Sequence, residues 1–241
     1  MKGLGTIVNV AAVILGGVIG MIIKRGLKER ISDTLTKACG ISVIFIGIAG
    51  TLSKMLVIAG NSISTDGTLL LVLSLVFGGI IGELINIEKR MDSLGNRLKK
   101  AVKAGNDSNF VEGFVAATLV ICIGAMAIVG SLQDGLTGDH SMLFTKAILD
   151  FIIVMVIASA TGIGAVFSAV PLGIYQGLIT LCAVLIEPLI SDRLVNELSM
   201  VGSVLIFCVG INLIFDKKIR VGNLLPALLV PIIWEIISHF I

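Results

Sequence analysis

The chain has 241 residues, of which 56% are hydrophobic and only 14% are charged, and its formal net charge at pH 7 is +2. A soluble domain usually carries about 25% charged residues, so this composition excludes an ordinary globule in water and predicts a protein of the lipid bilayer. Nucleic-acid binding has no support either, because the basic residues sit in short loops between apolar runs.

Eight apolar runs are long enough to cross a bilayer, whose hydrocarbon core of about 30 Å needs roughly 20 helical residues. They lie at about 4–23, 38–58, 68–87, 111–131, 145–169, 172–190, 198–215 and 222–241. The runs are apolar on nearly all sides, which is typical of membrane helices and not of barrel strands. The sequence therefore predicts an all-α, polytopic transmembrane helix bundle that forms one domain over residues 1–241.

The first run is predicted to be a retained span, because it is longer than the roughly 7–15 residues of a signal-peptide core. It ends in LGGVIGMIIK, and the third run ends in the similar FGGIIGELIN. A basic loop and then an apolar, glycine-containing span follow each. We interpret units of about 1–58 and 68–131 as a direct two-helix duplication, with spans five to eight over about 145–241. Convergence on glycine-rich packing is the alternative.

Small residues form stripes along several runs, as expected where helices associate in lipid by close packing. The residues assigned to helix packing are Asn9, Gly16, Gly20, Gly78 and Gly82. Stripes of this kind that faced the lipid would favour a homo-oligomer.

The loop after the third run is predicted to be either a short amphipathic helix on the inner membrane surface or a solvated linker. Met91, Leu94, Leu98 and Val102 recur there at helical spacing, with basic residues between them.

The distribution of basic residues predicts the orientation. Fourteen lysines and arginines fall in alternate loops, after runs one, three and seven, and the other four are Lys2, Lys54, Lys146 and Arg193. Because cytoplasmic loops are enriched in basic residues, we expect those loops in the cytoplasm and both termini outside.

Spans five and six carry polar stripes that are candidates for a solute or ion pathway. Asp150, placed at the outer end of span five, shares a face with Thr161 and Ser168, and Gln176, Thr180 and Glu187 share a face of span six. A short link around Pro171 makes the two spans antiparallel neighbours, so the stripes can face each other. Snorkelling of both carboxylates to the interface is the alternative.

The segment TGIGAVFSAVP, from Thr161 to Pro171, is the sharpest local feature. Gly162 and Gly164 lack a β-carbon and Pro171 lacks an amide donor, so the segment can unwind and expose backbone groups to a solute. A tight turn with close helix packing is the alternative.

The four cysteines lie inside apolar runs without paired spacing, and only His140 and His239 could add imidazole ligands. We therefore expect no disulfide, no metal site and no cofactor. The string GDHS, from Gly138 to Ser141, brings Asp, His and Ser together, but neighbours in sequence rarely converge as a catalytic triad, so we expect no enzyme.

The strings EGFVAATLVICIGAMAIVGSLQDGLTGDHS, GIGAVFSAVPLGIYQG, GNLLPALL and GGVIG resemble the bacterial YqgA/YdfK family of membrane proteins, defined as domain of unknown function 554. The resemblance covers essentially the whole chain and implies a multi-pass protein of the bacterial inner membrane. It supplies no catalytic or binding residues.

A transporter or channel for a small solute or ion is the function that these features favour. A structural or assembly protein without a transport pathway is the alternative, because glycine stripes explain packing without any pathway. The expected partners are the lipid bilayer and an unknown small solute or ion. The sequence has no nucleotide-binding motif, which disfavours ATP-driven transport by this chain alone.

Overall fold

The computed structural model describes residues 1–25, 29–59, 62–101, 109–122, 125–186, 191–215 and 219–240. The helices in chain order are α1 (Leu4–Arg25), α2 (Glu29–Met55), α3 (Thr68–Ile85), α4 (Ile87–Ala101), α5 (Phe110–Cys122), α6 (Ala125–Leu136), α7 (Ser141–Thr161), α8 (Ala169–Leu181), α9 (Ala183–Ile186), α10 (Asp192–Ile214), α11 (Val221–Leu224) and α12 (Leu229–Phe240). Two strands, β1 (Leu56–Ala59) and β2 (Ser62–Thr65), pair antiparallel between α2 and α3.

The predicted bundle of apolar membrane helices is confirmed. Within the described residues, five helical segments are long and apolar enough to cross a membrane, namely Leu4–Lys24, Thr68–Ile85, Ser141–Thr161, Ile163–Leu181 and Asp192–Ile214. The pair α5 and α6, bent by 61°, adds a sixth if it counts as one span. Two shorter apolar stretches, Gly40–Met55 and Val221–Ile237, complete the set. By length and composition, five or six spans within the described residues meet this test, and the eight predicted spans are not confirmed.

Several predicted boundaries are wrong. The second run was expected to continue as helix to residue 58, but α2 ends at Met55 and the next four residues form β1. The β-branched residues Val57, Ile58 and Ile63 favour this short hairpin. The loop after α3 forms a helix of its own, α4, which favours the first of the two predictions for that loop.

The turn between α7 and α8 lies at Gly162 and not around Pro171. Gly162 has a φ of 100°, a conformation that residues with a β-carbon rarely adopt, and it ends α7. A 3₁₀ segment, Ile163–Ser168, then leads into α8. Pro171 lies in the first turn of α8, where a missing amide donor is tolerated.

Two helices of the chain begin in the same way. The 3₁₀ segments Ile163–Ser168 and Leu225–Leu228 lead directly into α8 and α12, and each helix carries a proline, Pro171 or Pro231, as its third residue. A Cβ built on Gly17 of α1 would lie 2.7 Å from Val166 in the first segment, and one built on Gly78 of α3 would clash with Ala227 in the second.

Glycines mark the closest helix approaches. A Cβ on Gly16 or Gly20 of α1 would clash with backbone carbonyls of α7. A Cβ on Gly82 of α3 would likewise clash with the carbonyl of Asn223 in α11. The backbones of these helix pairs are therefore in direct contact, with no room for a side chain. The apolar core that the helices enclose includes Val13, Ala117, Val154, Ile157, Leu172 and Leu205.

Candidate functional site

An ion pair is buried inside the bundle on α7. Lys146 and Asp150 are four residues apart and so share a face of the helix. The Lys146 Nζ lies 2.8 Å from Oδ1 and 2.6 Å from Oδ2 of Asp150. The residues are only 6% and 3% exposed. Such a pair is stable in a low-dielectric interior only when further hydrogen bonds satisfy both ions.

A helix break supplies one of those further bonds. The carbonyl of Ile121 belongs to the last described turn of α5, which ends at Cys122. Lys146 donates to that carbonyl with Nζ at 2.7 Å. The positive ammonium also lies at the negative end of the α5 dipole. Lys146 of α7 therefore joins that helix to the last turn of α5.

Two amide side chains complete the network on the other side of Asp150. Asn9 of α1 donates from Nδ2 to Asp150 Oδ2 at 2.9 Å and to Gln176 Oε1 of α8 at 3.3 Å. Both amides are 0% exposed. Among the described residues, Asn9 Oδ1 and Gln176 Nε2 have no hydrogen-bond partner. The network thus contains one free acceptor and one free donor, both buried, which is unusual in a protein interior.

The network lies deep in the bundle. Asp150 is the tenth of the 21 residues of α7, a helix about 31 Å long at 1.5 Å per residue. The sequence placed this carboxylate at the outer end of its span, because the helix was expected to begin at residue 145 and not at Ser141. A charge near the bilayer centre costs at least about 2.5–3.5 kcal/mol, so its burial calls for a partner or a function.

The structure has a cavity near each end of the bundle. The upper cavity, about 360 Å³, opens beside the start of α1, and its lining includes Thr6, Gly177 and Thr180. Thr6 precedes Asn9 by three residues, or about 4.5 Å of helix, and Gly177 adjoins Gln176. The Thr6 Oγ1 is also buried without a hydrogen-bond partner among the described residues.

The lower cavity, about 330 Å³, opens beside α4. Its lining combines the polar residues Glu88, Asn96, Glu112 and Asn212 with apolar residues of α5 and α10. It reaches Leu119, two residues or about 3 Å of helix from the carbonyl that Lys146 holds. Neither cavity is lined by a member of the network itself.

The predicted site residues on the Thr161–Pro171 segment are closed off by packing. The hydroxyls of Thr161 and Ser168 donate to carbonyls of their own helical turns, Ile157 at 2.8 Å and Ala165 at 2.6 Å. A Cβ on Gly164 would clash with the carbonyl of Phe110. In this structure the segment forms the tight, packed turn that was the alternative.

The remaining predicted residues are dispersed. Thr180 donates to the carbonyl of Ser131 at 3.2 Å and joins α8 to α6. Glu187 lies outside the described residues. In the GDHS string, the Ser141 hydroxyl bonds Asp139 at 2.7 Å while His140 contacts Asp134 at 2.9 Å, so these groups form two separate pairs.

Two members of the network were assigned elsewhere by the sequence analysis. Asn9 was assigned to helix packing, and Lys146 was counted among the loop charges. The signal for Lys146 was its spacing from Asp150, since opposite charges four residues apart on one helix can form an ion pair. The signal for Asn9 was a single amide in an otherwise apolar run.

Apolar helices around a buried ion pair define the class of a polytopic membrane protein. The chain belongs to the family described as protein of unknown function (DUF554), whose model matches residues 4–236. It is similar to the uncharacterized membrane protein YdfK of Bacillus subtilis (strain 168), at 35% identity over 235 residues that cover 98% of this chain and 96% of the relative. It is also similar to the uncharacterized protein YqgA of Escherichia coli (strain K12), at 31% identity over 230 residues that cover 94% and 93%. No solved structure gives a significant match.

Proposed function

We propose that this chain is a membrane transporter for a small solute or ion, and that the Lys146–Asp150 pair with Asn9 and Gln176 forms its central site. The observation that carries the proposal is the network itself, an ion pair and two amides buried near mid-helix with one free acceptor and one free donor among the described residues. Polar groups at such depth are costly and mark solute pathways or coupling sites. Because neither cavity is lined by the network, the conformation that this proposal assigns to the structure is the occluded state of a carrier.

The proposed topology has eight crossings with both termini outside, in the bacterial inner membrane. The five long spans, the bent α5–α6 pair and the two shorter apolar stretches supply eight segments. The basic helix α4 then lies in the cytoplasm. Burial of Lys146 removes one of the four basic residues of the opposite side and strengthens the charge asymmetry.

The proposed duplication is supported by packing. Equivalent glycines of the two motifs lie against backbone carbonyls, Gly20 of α1 against that of Met155 and Gly82 of α3 against that of Asn223. If the repeated helices occupy equivalent environments, one ancestral helix pair explains both halves.

Cysteine accessibility tests whether the cavities hold water. In a variant lacking the native cysteines, Gly177→Cys lines the upper cavity and Val115→Cys lines the lower one. An impermeant maleimide should label the first from outside intact cells and the second in inside-out vesicles. Ile148→Cys, on an α7 residue that is 65% exposed on the outside of the bundle, is the matched control and should stay unlabelled in lipid.

Reconstituted protein tests transport itself. On a supported membrane, a panel of small ions and solutes should evoke currents in the wild type that Asp150→Asn abolishes. Cavities closed to maleimide, together with an absence of solute-evoked current and of tracer uptake, would instead favour the structural or assembly function. The packed Thr161–Pro171 turn and the glycine contacts are the observations that favour that alternative.

A further inference from the structure

The ammonium group of Lys146 is surrounded by oxygen acceptors. The two carboxylate oxygens of Asp150 and the carbonyl oxygen of Ile121 lie 2.6–2.8 Å from Nζ. All three acceptors bear full or partial negative charge, and the carbonyl belongs to the C-terminal end of α5, where the helix dipole adds more. Oxygen atoms of this kind are the ligands that a hard cation prefers.

A further oxygen beside this group lacks a partner. Asn9 directs its Nδ2 toward the Asp150 carboxylate, because its oxygen would be repelled there. The Oδ1 of the same amide is consequently left without a hydrogen bond among the described residues, although Asn9 is 0% exposed. A buried amide oxygen normally accepts a bond, so this unpaired atom leaves the network one donor short.

We propose that these oxygens form a binding site for a monovalent cation, and that Lys146 occupies it as a tethered ammonium until an incoming cation displaces it. The inference rests on the proposed transport function and names its substrate class. One carboxylate balances a single positive charge, whereas divalent ions usually gather several. The described residues contain no cluster of three or more His, Cys, Asp or Glu side chains of the kind that divalent ions use.

The displaced Lys146 ammonium can move toward the nearer end of α7. Lys146 is the sixth residue of α7, about 7.5 Å of helix from its upper end. Lysine has a flexible four-carbon stem that carries its charge toward an interface while the stem stays in apolar surroundings. The cation and the ammonium therefore compete for the same oxygens.

The test removes the tethered cation and asks whether a free one replaces it. Purified Lys146→Met in detergent is melted in sodium, potassium or choline chloride at equal ionic strength. At a hundredfold excess over Kd, sodium or potassium should raise Tm by about 5–10 °C relative to choline, which is too large for the site. The wild type, whose own ammonium fills the site, should shift far less.

The matched control is Lys146→Met/Asp150→Asn, which lacks the carboxylate and should lose the sodium or potassium effect. A shift of equal size in wild type and Lys146→Met, or retained in the double variant, would be a general salt effect and would overturn the inference. If Lys146→Met gives no folded protein, Lys146→Gln replaces it, because its amide can donate to Asp150. A folded Lys146→Gln that melts alike in all three salts overturns the inference too.

The same experiment is separable from the transport proposal, because binding in detergent needs no flux. Cation-dependent stabilisation without any solute-evoked current would support the cation site and contradict the transport proposal. Currents from a neutral solute or an anion, with no cation-dependent stabilisation, would support the transport proposal and contradict the cation site.

Discussion

At the residue scale, the buried pair dominates the energetics. Removing Lys146 alone leaves an unpaired buried carboxylate, so in choline chloride Lys146→Met should destabilise the protein by about 3–5 kcal/mol. The double variant Lys146→Met/Asp150→Asn should recover most of that loss, since no buried charge remains. Denaturant unfolding in detergent measures both. A double variant as unstable as the single one would show that the pair is not the cause.

The matched comparison is an exposed pair with the same spacing. Lys37 and Asp33 are four residues apart at 2.7 Å, with side chains 54% and 60% exposed. Because water solvates both ions, Lys37→Met should change the free energy of unfolding by less than about 1 kcal/mol.

Half of the network could be predicted from the sequence. Asp150 and Gln176 were identified as polar residues in apolar spans, which is unusual without a function. Lys146 was missed because its depth depends on where α7 begins, and no sequence pattern separates an interfacial lysine from one a single helical turn deeper. Asn9 was missed because its partners come from helices more than 140 residues away.

At the scale of single elements, Asp134 fixes the start of α1. Its carboxylate, 0% exposed, accepts from the backbone amides of Gly3 at 2.9 Å and Gly5 at 3.0 Å. Asp134→Ala should cost about 1–3 kcal/mol of stability, because these donors then lose a charged acceptor. Asp134→Asn keeps an acceptor and should cost less. Hydrogen exchange at the first amides of α1 reports the effect locally, and equal exchange in all three proteins would contradict it.

The glycine contacts give a second prediction for the elements. Gly16→Ala places a methyl group against the carbonyl of Phe151 and should destabilise the α1–α7 contact by about 1–3 kcal/mol. Gly177→Ala is the control, since a Cβ there meets nothing within 4 Å. That change should be neutral or stabilise α8 by up to about 1 kcal/mol. Thermal melts in detergent compare them, and similar losses at both sites would refute the steric explanation.

The element boundaries show what sequence patterns resolve. Apolar runs located most spans, but the break between α5 and α6 lies within an uninterrupted apolar stretch. Lys146, which bonds the end of α5, lies on another helix, so the local periodicity of the α5–α6 stretch cannot predict this contact. The turn at Gly162 was misplaced to Pro171 because proline was expected outside the helix, although the first helical turn tolerates it.

At the scale of the whole molecule, the proposed orientation can be tested directly. Single cysteines at Asp139 and Lys99, in a background without native cysteines, should react differently with an impermeant reagent added to intact cells. Asp139 lies in the exposed loop before α7 and should be labelled, whereas Lys99 of α4 should be protected. The opposite labelling pattern would reverse the topology.

For the whole chain, composition was enough to predict a helical membrane bundle, because lipid forces the backbone to satisfy its own hydrogen bonds. Which helices pack against each other could not be predicted from the sequence. The pairing of α1 with α7, for example, depends on Gly16 and Gly20 meeting backbone carbonyls of a helix far away in the chain.

The bond between Lys146 and the Ile121 carbonyl also has a consequence for biogenesis. A span that leaves the translocon carrying a lone lysine or aspartate would be poorly inserted, but α7 carries both charges one turn apart and can enter lipid as a neutral unit. α5 is synthesised earlier, so the Ile121 carbonyl can accept this bond only once α7 has followed it into the membrane. Under the proposed topology, packing of α5 against α7 is completed only after α7 is inserted, which makes membrane integration of these two segments a coupled step.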